Sequence, residues 1–307
     1  MSKSSAYLSI ALGAALWGII GLFVTRLYEL GFEPVHVVTL RVTCAAIFLV
    51  GFVFLKDKRK LVIRLADGRY FIGTGIVSIL FFNWFLFQAI EMTTISVATT
   101  LLYTAPMFVL VLSRVFFKEW ITKEKGVALF FTLIGCALVV GLLPTGTEAI
   151  SLTGLLLGIG SGFFYALYSI FGKFALAKYE AMTVSTYTFV FAAVAIAPFS
   201  GLWHVPHLLG NGQVWLYVLG LGFFSTTLAF LLYTKGLQYV ESSKASIIAT
   251  IEPVVAVLVS VLLVGEALTL WQGLGVGLVL FAVVLVQKRT KIERERMSGG
   301  IKKKADA

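Results

Sequence analysis

The sequence is poor in charge: Asp, Glu, Lys and Arg together make up only 13% of its 307 residues. A soluble domain carries charge on about a quarter of its residues, so this composition argues against a soluble fold. Apolar side chains take the place of the charged ones, with 59% hydrophobic residues and a mean hydropathy of +0.96. The period-two alternation of a membrane β-barrel is also absent. The composition therefore favours helices in a membrane.

Residues that build metal, redox and catalytic sites are equally scarce. Cys44 and Cys136 lie in separate apolar runs, without the CxxC or Cys/His spacing of metal and redox sites. No HExxH motif occurs, every Asp lies in a charged segment, and His36 stands at the edge of an apolar run. We therefore predict no cofactor, no metal site and no enzymatic activity. An intramembrane enzyme and a channel remain the alternatives from other functional classes.

Ten apolar runs recur from end to end of the chain, and each is long enough to cross about 30 Å of hydrocarbon as a helix. They cover approximately residues 7–27, 36–55, 70–92, 95–117, 123–143, 151–176, 183–203, 213–236, 244–264 and 270–288. The sequence thus predicts an all-α integral membrane protein with ten transmembrane helices.

The basic residues are distributed on one side of these runs. All but Arg26 and Arg41 of the 25 Lys and Arg residues fall on one side: in alternate connections or the ends of the runs that flank them, at the N-terminus, or in the C-terminal tail. By the positive-inside rule this places both termini in the cytoplasm of a multi-pass cell-membrane protein. The net charge of +10 therefore indicates orientation and contact with anionic lipid rather than nucleic-acid binding.

The second half of the chain repeats the first at a spacing of 147 residues. The segment "YTAPMFVLVLSRVFFKEWITKEKG" aligns with "ATIEPVVAVLVSVLLVGEALTLWQG". The matched pairs are Pro106 with Pro253, Glu119 with Glu266, Thr122 with Thr269, and Gly126 with Gly273. We predict repeats over residues 1–147 and 148–307, the second carrying a basic cytoplasmic tail from about 288. Five spans per repeat is an odd number, so the two copies must be inverted, as in many secondary transporters.

Three segments carry a family resemblance: the "LWG" of the first span, the "RVTCAA" of the second and the "EPVVAVLVSVLLVGE" of the ninth. Over about residues 7–287 the chain resembles the EamA-type transporters of the drug/metabolite transporter superfamily. The resemblance implies a carrier, most often an exporter of amino acids or other small metabolites. A lipid flippase or an uptake carrier of the same superfamily remains the alternative. Ala105 stands where a Glu often precedes the first Pro, so a role for that acid applies only to Glu252.

Two ionisable residues fall inside the predicted spans. Glu252 is close to mid-depth, where a charge costs roughly 2.5–3.5 kcal/mol, so it should face the interior of the bundle. It is a candidate ligand for a substrate amine or a proton-coupling site, unless it serves backbone groups freed by Pro253. Arg41 is a candidate partner for an acid or a substrate carboxylate, unless it snorkels to the outer headgroups. Whether the two side chains pair is left open.

Pro106 and Pro253 occupy equivalent positions and predict hinges, or kinks that only shape the packing. Glu119 and Glu266 are predicted to cap helix N-termini. A set of aromatic and hydrogen-bonding residues is expected, by the resemblance, to line a central cavity. Together with Glu252 it comprises Trp17, Asn83, Trp84, Gln88, Tyr103, Tyr165, Tyr168, Thr226, Thr227, Tyr233 and Thr250.

The predicted partners follow from these sites. We expect a small-molecule substrate, with protons as the candidate coupling ion, and contact with membrane lipid but not with nucleic acid. Doubly charged phosphates are disfavoured, because Arg41 is the single cation well within a predicted span. The chain is expected to act as a monomer or a homodimer.

Overall fold

The computed structural model describes residues 1–144, 151–264 and 267–287, and within them it contains helices and no strand. Nine helical segments of this part of the chain are long and apolar enough to cross a membrane, and a tenth has 17 residues. In chain order they are α1 (Lys3–Glu29), α2 (Pro34–Lys56), α3 (Leu65–Met92), α4 (Ile95–Phe117), α5 (Lys123–Val139), α6 (Leu152–Leu176), α7 (Ala181–Phe199), α8 (Gly212–Leu237), α9 (Ser242–Leu263) and α10 (Leu270–Gln287). The prediction of ten membrane helices is confirmed.

The two halves are related by an inversion. Helix α1 begins at one face of the molecule, where the backbone of Ala6 lies against Gly236 near the end of α8. Helix α6, its counterpart, begins at the opposite face, where Gly154 lies against Met92 and Thr93 at the end of α3. Equivalent helices therefore enter the bundle from opposite faces, as the odd number of spans per repeat requires.

The helices form two equivalent bundles. Helix α6 packs against α3 and α4, and α1 packs against α8 and α9. In the sequence repeat α1 corresponds to α6, α3 to α8 and α4 to α9. Each bundle therefore consists of the counterparts of the helices in the other bundle. Helices α2 and α7 pack against each other, as do α5 and α10. The central space of the molecule lies between the α3–α4–α6 bundle and the α1–α8–α9 bundle.

The basic connections meet at one face, which we call the basic face. There the Lys60 ammonium lies 2.7 Å from the Glu180 carboxylate, and the Thr183 hydroxyl donates to the Lys60 carbonyl. The Lys178 ammonium lies 2.5 Å from the Asp67 carboxylate, joining α3 to the end of α6. The connections that follow α2 and α6 therefore lie side by side, as the distribution of charge predicted.

The helices are interrupted at equivalent places. Helix α4 breaks at Tyr103 and Thr104, and α9 breaks at Thr250, which is 147 residues after Tyr103. Helices α3 and α8 each contain a π-helical stretch, over Ile72–Leu80 and Phe223–Leu228. Such stretches frequently mark functional sites, and these four helices all surround the central space.

Candidate functional site

A cavity of about 170 Å³ lies between the two bundles. It extends from Glu252 and Tyr165 in the middle of the molecule to Tyr28 and Pro34 at the end opposite the basic face. All six helices of the two bundles supply side chains to its wall, and α2 supplies Arg41. The cavity is thus built from both halves of the chain.

Glu252 reaches the cavity because α9 restarts just before it. The new helical piece begins at Ile251, after the break at Thr250, so Glu252 lies in its first turn. The helix dipole favours a negative charge at this position. The Arg41 guanidinium and the Tyr165 hydroxyl both interact electrostatically with its carboxylate. The hydroxyl that serves the broken backbone is that of Thr250, which donates to the Ile247 carbonyl at 2.6 Å, so Glu252 remains directed to the cavity.

Arg41 is buried, with 7% of its surface exposed, and lines the same cavity. The alternative that it snorkels to the outer headgroups is therefore wrong, because its head lies inside the protein. Among the described residues no ion pair within 4.0 Å joins Arg41 to Glu252. The two charges face one space from different halves of the molecule without forming a direct ion pair.

Two side chains that line this cavity each carry a hydrogen-bond donor with no partner among the described residues. These donors are the indole nitrogen Nε1 of Trp17 and the guanidinium nitrogen Nε of Arg41, and both side chains are more than nine-tenths buried. A buried donor without an acceptor costs about 1–3 kcal/mol. An oxygen acceptor brought within reach of these nitrogens by a bound solute would remove that cost.

Aromatic rings form much of the wall. The ring of Trp17 packs against Phe230 and Tyr233 at centroid distances of 4.9 and 5.1 Å, and Phe82 packs edge-on against Tyr165 at 5.3 Å. Such rings attract a cation over their faces. The wall thus combines aromatic surface with one acid and one base.

Two smaller cavities, each of about 10 Å³, continue towards the basic face. One is lined by Tyr168 and Tyr233, whose hydroxyls bond Thr234 at 2.6 Å and Ser169 at 2.7 Å respectively. The other lies between Tyr103, Thr250 and Glu252. Space narrows sharply on this side of Glu252, so the central site is open in one direction and closed in the other.

Comparison with known proteins gives consistent results. A sequence model described as the EamA-like transporter family matches residues 4–141 and 152–287. An uncharacterised transporter of Archaeoglobus fulgidus (strain ATCC 49558 / DSM 4304 / JCM 9628 / NBRC 100126 / VC-16) is 30% identical over 280 residues, covering 90% of this chain and 94% of that protein. An uncharacterised transporter of Bacillus subtilis (strain 168), YxxF, is 26% identical over 304 residues, covering 94% of this chain and 92% of its own.

This chain belongs to the EamA-like transporter family. A solved crystal structure of another protein has the same fold, with a TM-score of 0.78 and 19% identity over 96% of this chain and 99% of its own. Membership in a transporter family, together with the apolar helices, identifies a multi-pass membrane transporter and points away from an enzyme.

Most of the predicted wall of this EamA-like transporter lies around the central space. Residues of the predicted set that line the three cavities are Trp17, Asn83, Tyr103, Tyr165, Tyr168, Tyr233, Thr250 and Glu252. They come from α1, α3, α4, α6, α8 and α9, the helices of the two bundles. That these residues bind substrate remains a prediction.

Four predicted wall residues line none of these cavities. Trp84 is 56% exposed on the outer surface, and Gln88, one turn later on the same side of α3, bonds Glu91. A helix turns about 100° per residue, so the inward position of Asn83 turns Trp84 away. The hydroxyls of Thr226 and Thr227 donate to carbonyls five residues earlier, where the wide π-helical turn leaves them accessible. The position of a residue along its span did not indicate whether its side chain faces the cavity or the outer surface.

The predicted breaks and caps occur in this EamA-like transporter with one correction. Both breaks lie just before Pro106 and Pro253, in agreement with the predicted kinks. Glu119 caps a helix, but that helix is α9, where its carboxylate accepts the Ser242 backbone N–H at 2.7 Å. Helix α5, which follows Glu119 in the chain, is capped by Thr122 instead. Glu266 lies outside the described residues, as do the predicted repeat boundary and the basic tail.

Several cavity residues were not predicted. They are apolar or aromatic side chains such as Phe82, Phe87, Leu102 and Phe230, with Tyr28 at the mouth. Their only sequence signal is helical spacing from predicted members: Leu86 and Phe87 lie three and four residues after Asn83. In a chain this apolar, that spacing does not distinguish a wall residue from one facing lipid.

Proposed function

We propose that this protein is a secondary-active transporter that exports amino acids or related small metabolites by alternating access. The observation that supports it best is a single cavity, shared by two inverted bundles, that holds Glu252 and Arg41 without pairing them. The cavity continues to one end of the molecule and narrows towards the other. Exchange of conformation between the two bundles would open the same site to the opposite side.

The chemistry of the cavity supports a solute that carries both charges. The Arg41 guanidinium can form two parallel hydrogen bonds with a carboxylate, and Glu252 can accept from an ammonium group. The faces of Trp17 and Phe230 add attraction for a cation. The volume of about 170 Å³ is below the roughly 300–1,000 Å³ of pockets for drug-sized ligands, which favours a small metabolite.

A coupling role for Glu252 is the second part of the proposal. The residue is the acid that lines the cavity, and its partners there are a base and a hydroxyl. Binding a proton in exchange for a substrate ammonium would let one site serve both ligands. We propose protons as the coupling ion on this ground.

The proposed orientation places both termini and the basic face in the cytoplasm. The distribution of basic residues supports it through the positive-inside rule. In that orientation the cavity extends to the outside, so the structure corresponds to an outward-facing state. Export would then need the basic face to open for loading.

Reconstituted vesicles test the carrier and its coupling. We expect saturable counterflow of a labelled amino acid, and we expect Glu252→Gln to retain counterflow but lose its response to an imposed pH gradient. Arg41→Gln should raise the KM for a carboxylate-bearing substrate about 10- to 100-fold, the loss of hydrogen bonds to a charged group. Glu29→Gln, which removes an exposed acid paired with Arg26, is the matched control and should leave both measurements unchanged.

The substrate is identified by comparing metabolite pools inside and outside cells that overproduce or lack the protein. Accumulation of amino acids inside cells without the transporter would support export, and accumulation outside would indicate an uptake carrier. Gradient-driven flux unchanged by Glu252→Gln would rule out its coupling role. Scrambling of labelled lipid or a steady conductance would favour a flippase or a channel.

A further inference from the structure

The two bundles are held together at the basic face by charged side chains that lie outside the central cavity. Glu119 follows α4, where Lys118 adopts a left-handed backbone conformation with φ of 56° and ends the helix. The reversed chain brings the Glu119 carboxylate to the first turn of α9. There it accepts the backbone N–H of Ser242 at 2.7 Å and of Ser243 at 3.1 Å, and it also bonds the Ser243 hydroxyl.

This contact is strong for two reasons. The first N–H groups of a helix have no partner within it, and the helix dipole favours a negative charge at that end. The carboxylate is also buried, with 8% of Glu119 exposed, so water competes weakly. A side chain from the α3–α4–α6 bundle thus satisfies the beginning of a helix of the α1–α8–α9 bundle.

Lys125 at the start of α5 neutralises this acid and extends the contact. Its ammonium lies 3.9 Å from the Glu119 carboxylate and 3.0 Å from that of Glu241, and it donates to the Trp120 carbonyl at 2.9 Å. Only 2% of Lys125 is exposed. The charges at this junction are therefore paired within the protein.

Lys173 makes a second bridge of opposite sign. It extends from α6 and donates to the carbonyls of Leu237 and Val240, each at 2.6 Å. Leu237 is the last residue of α8 and Val240 lies in the turn that follows it, where the helix dipole favours a cation. The α3–α4–α6 bundle thus makes two contacts with the α1–α8–α9 bundle. Glu119 binds the N-terminus of α9, and Lys173 binds the C-terminal end of α8.

The bridges lie on the closed side of the central site. Towards the other end of the molecule the space between the bundles is the cavity itself, lined there by Tyr28 and Pro34. By contrast, Asp67, which bonds Lys178 and Tyr179 at 2.5 and 2.8 Å, is contained within the α3–α4–α6 bundle. Separating the bundles at the basic face would break the Glu119 and Lys173 contacts but not those of Asp67.

We propose that Glu119 and Lys173 form a latch that keeps the basic face closed and releases when the carrier opens to that side. The inference rests on the alternating-access function proposed above. It assigns these two residues to the conformational equilibrium rather than to substrate binding. Weakening either contact should shift the population towards the state that is open at the basic face.

The test measures access to the interior from the basic face without using a substrate. In a protein lacking Cys44 and Cys136, Ser246→Cys places a reporter in the small cavity between the latch and Glu252. A membrane-impermeant maleimide is applied to the basic face in sided vesicles. We expect Glu119→Gln and Lys173→Met each to raise the labelling rate about tenfold, the effect of losing a hydrogen bond to a charged group.

Asp67→Asn is the matched control, because it removes an equally engaged buried acid within one bundle, and its rate should stay within twofold of the parent. Unchanged rates in monodisperse Glu119→Gln and Lys173→Met would overturn the latch. If Glu119→Gln does not fold, Ser243→Ala removes only the hydroxyl contact and should raise the rate about threefold, a smaller loss of the same kind; an unchanged rate would again overturn it.

The labelling assay and the transport assay test two different proposals, so a negative result in one does not affect the other. Faster labelling without amino-acid flux would support the latch while contradicting the proposed substrate. Normal flux with unchanged labelling would contradict the latch alone.

Discussion

Glycine at position 18 allows α1 to pack closely against α9 and thereby helps to position Glu252. A Cβ atom at Gly18 would lie 2.7 Å from the carbonyl oxygen of Glu252 and 2.7 Å from the Cβ of Val255. Real Cβ atoms do not approach backbone oxygen so closely, so α9 would have to shift. A residue with no side chain is thus part of the acid site.

We therefore expect Gly18→Ala to destabilise the protein by about 1–3 kcal/mol, the usual cost of overpacking. The measurement is thermal unfolding of the purified protein followed by size-exclusion chromatography. Gly21→Ala is the matched control three residues later in the same helix, because no atom lies within 4 Å of a Cβ placed there. Equal melting temperatures for the two variants would contradict the close contact.

For individual residues, the sequence predicted which chemical groups the cavity contains better than it predicted which side chains face the cavity. Glu252 was placed towards the interior because lipid penalises charge, and the structure agrees. Trp84 has no comparable penalty in lipid, so nothing in its chemistry separated it from the inward-facing Asn83. Whether a side chain faces lipid or the interior is predictable when the wrong environment costs several kcal/mol. An aromatic ring is stable in either environment, so its orientation is not predictable in this way.

The breaks in α4 and α9 follow from proline geometry. A proline ring clashes with the carbonyl four residues earlier and offers no N–H to it. The first pieces of the two helices end at Leu102 and Ala249, each four residues before a proline. Tyr103 and Thr250, at the breaks themselves, consequently line the space beside Glu252.

Restoring the missing backbone bond should straighten α4. In Pro106→Ala the new N–H can bond the Leu102 carbonyl, and we expect a longer, narrower distance distribution between spin labels at the two ends of α4, with a transport rate reduced at least severalfold. Pro206→Ala is the control, because that proline starts a short helix in the connection before α8 and interrupts no span. An unchanged distance in Pro106→Ala would show that other contacts maintain the break.

The π-helical stretches in α3 and α8 had no such signal. The first stretch packs against α6 and α7 and the second against α1 and α2, and hydroxyls within the second stretch bond carbonyls five residues back. A wider turn of this kind depends on neighbouring helices, because the isolated segment would gain more from regular α-helical bonds. Local sequence therefore predicted the proline breaks but not these stretches.

For the whole molecule, the charge distribution and the repeat each predict one aspect of the architecture. The basic connections were expected on one side, and the contacts of Lys60 with Glu180 and of Lys178 with Asp67 bring two of them together. The repeat predicted inversion, which the opposite starting faces of α1 and α6 confirm. Neither pattern indicates which helices are neighbours.

The proposed orientation has a direct test in intact cells. In the protein without Cys44 and Cys136, a cysteine at Trp203 should react with an impermeant maleimide from outside, because that residue is exposed in the connection between α7 and α8. A cysteine at Arg59, in the basic connection after α2, should react only after the membrane is permeabilised. Labelling of Arg59→Cys in intact cells would contradict the proposed orientation. The cavity would then open towards the cytoplasm instead of the outside.

Sequence patterns were enough to predict that the chain spans a membrane ten times, that its halves are inverted copies and that Glu252 avoids lipid. These features depend on hydrophobicity, charge and proline, whose energetic effects act residue by residue. Three other features are visible only in the packed helices: Arg41 faces Glu252 without pairing, Glu119 caps α9 rather than α5, and the space closes at the basic face. Those facts depend on how one helix is rotated and placed against another, and in an apolar chain many rotations bury nearly the same surface.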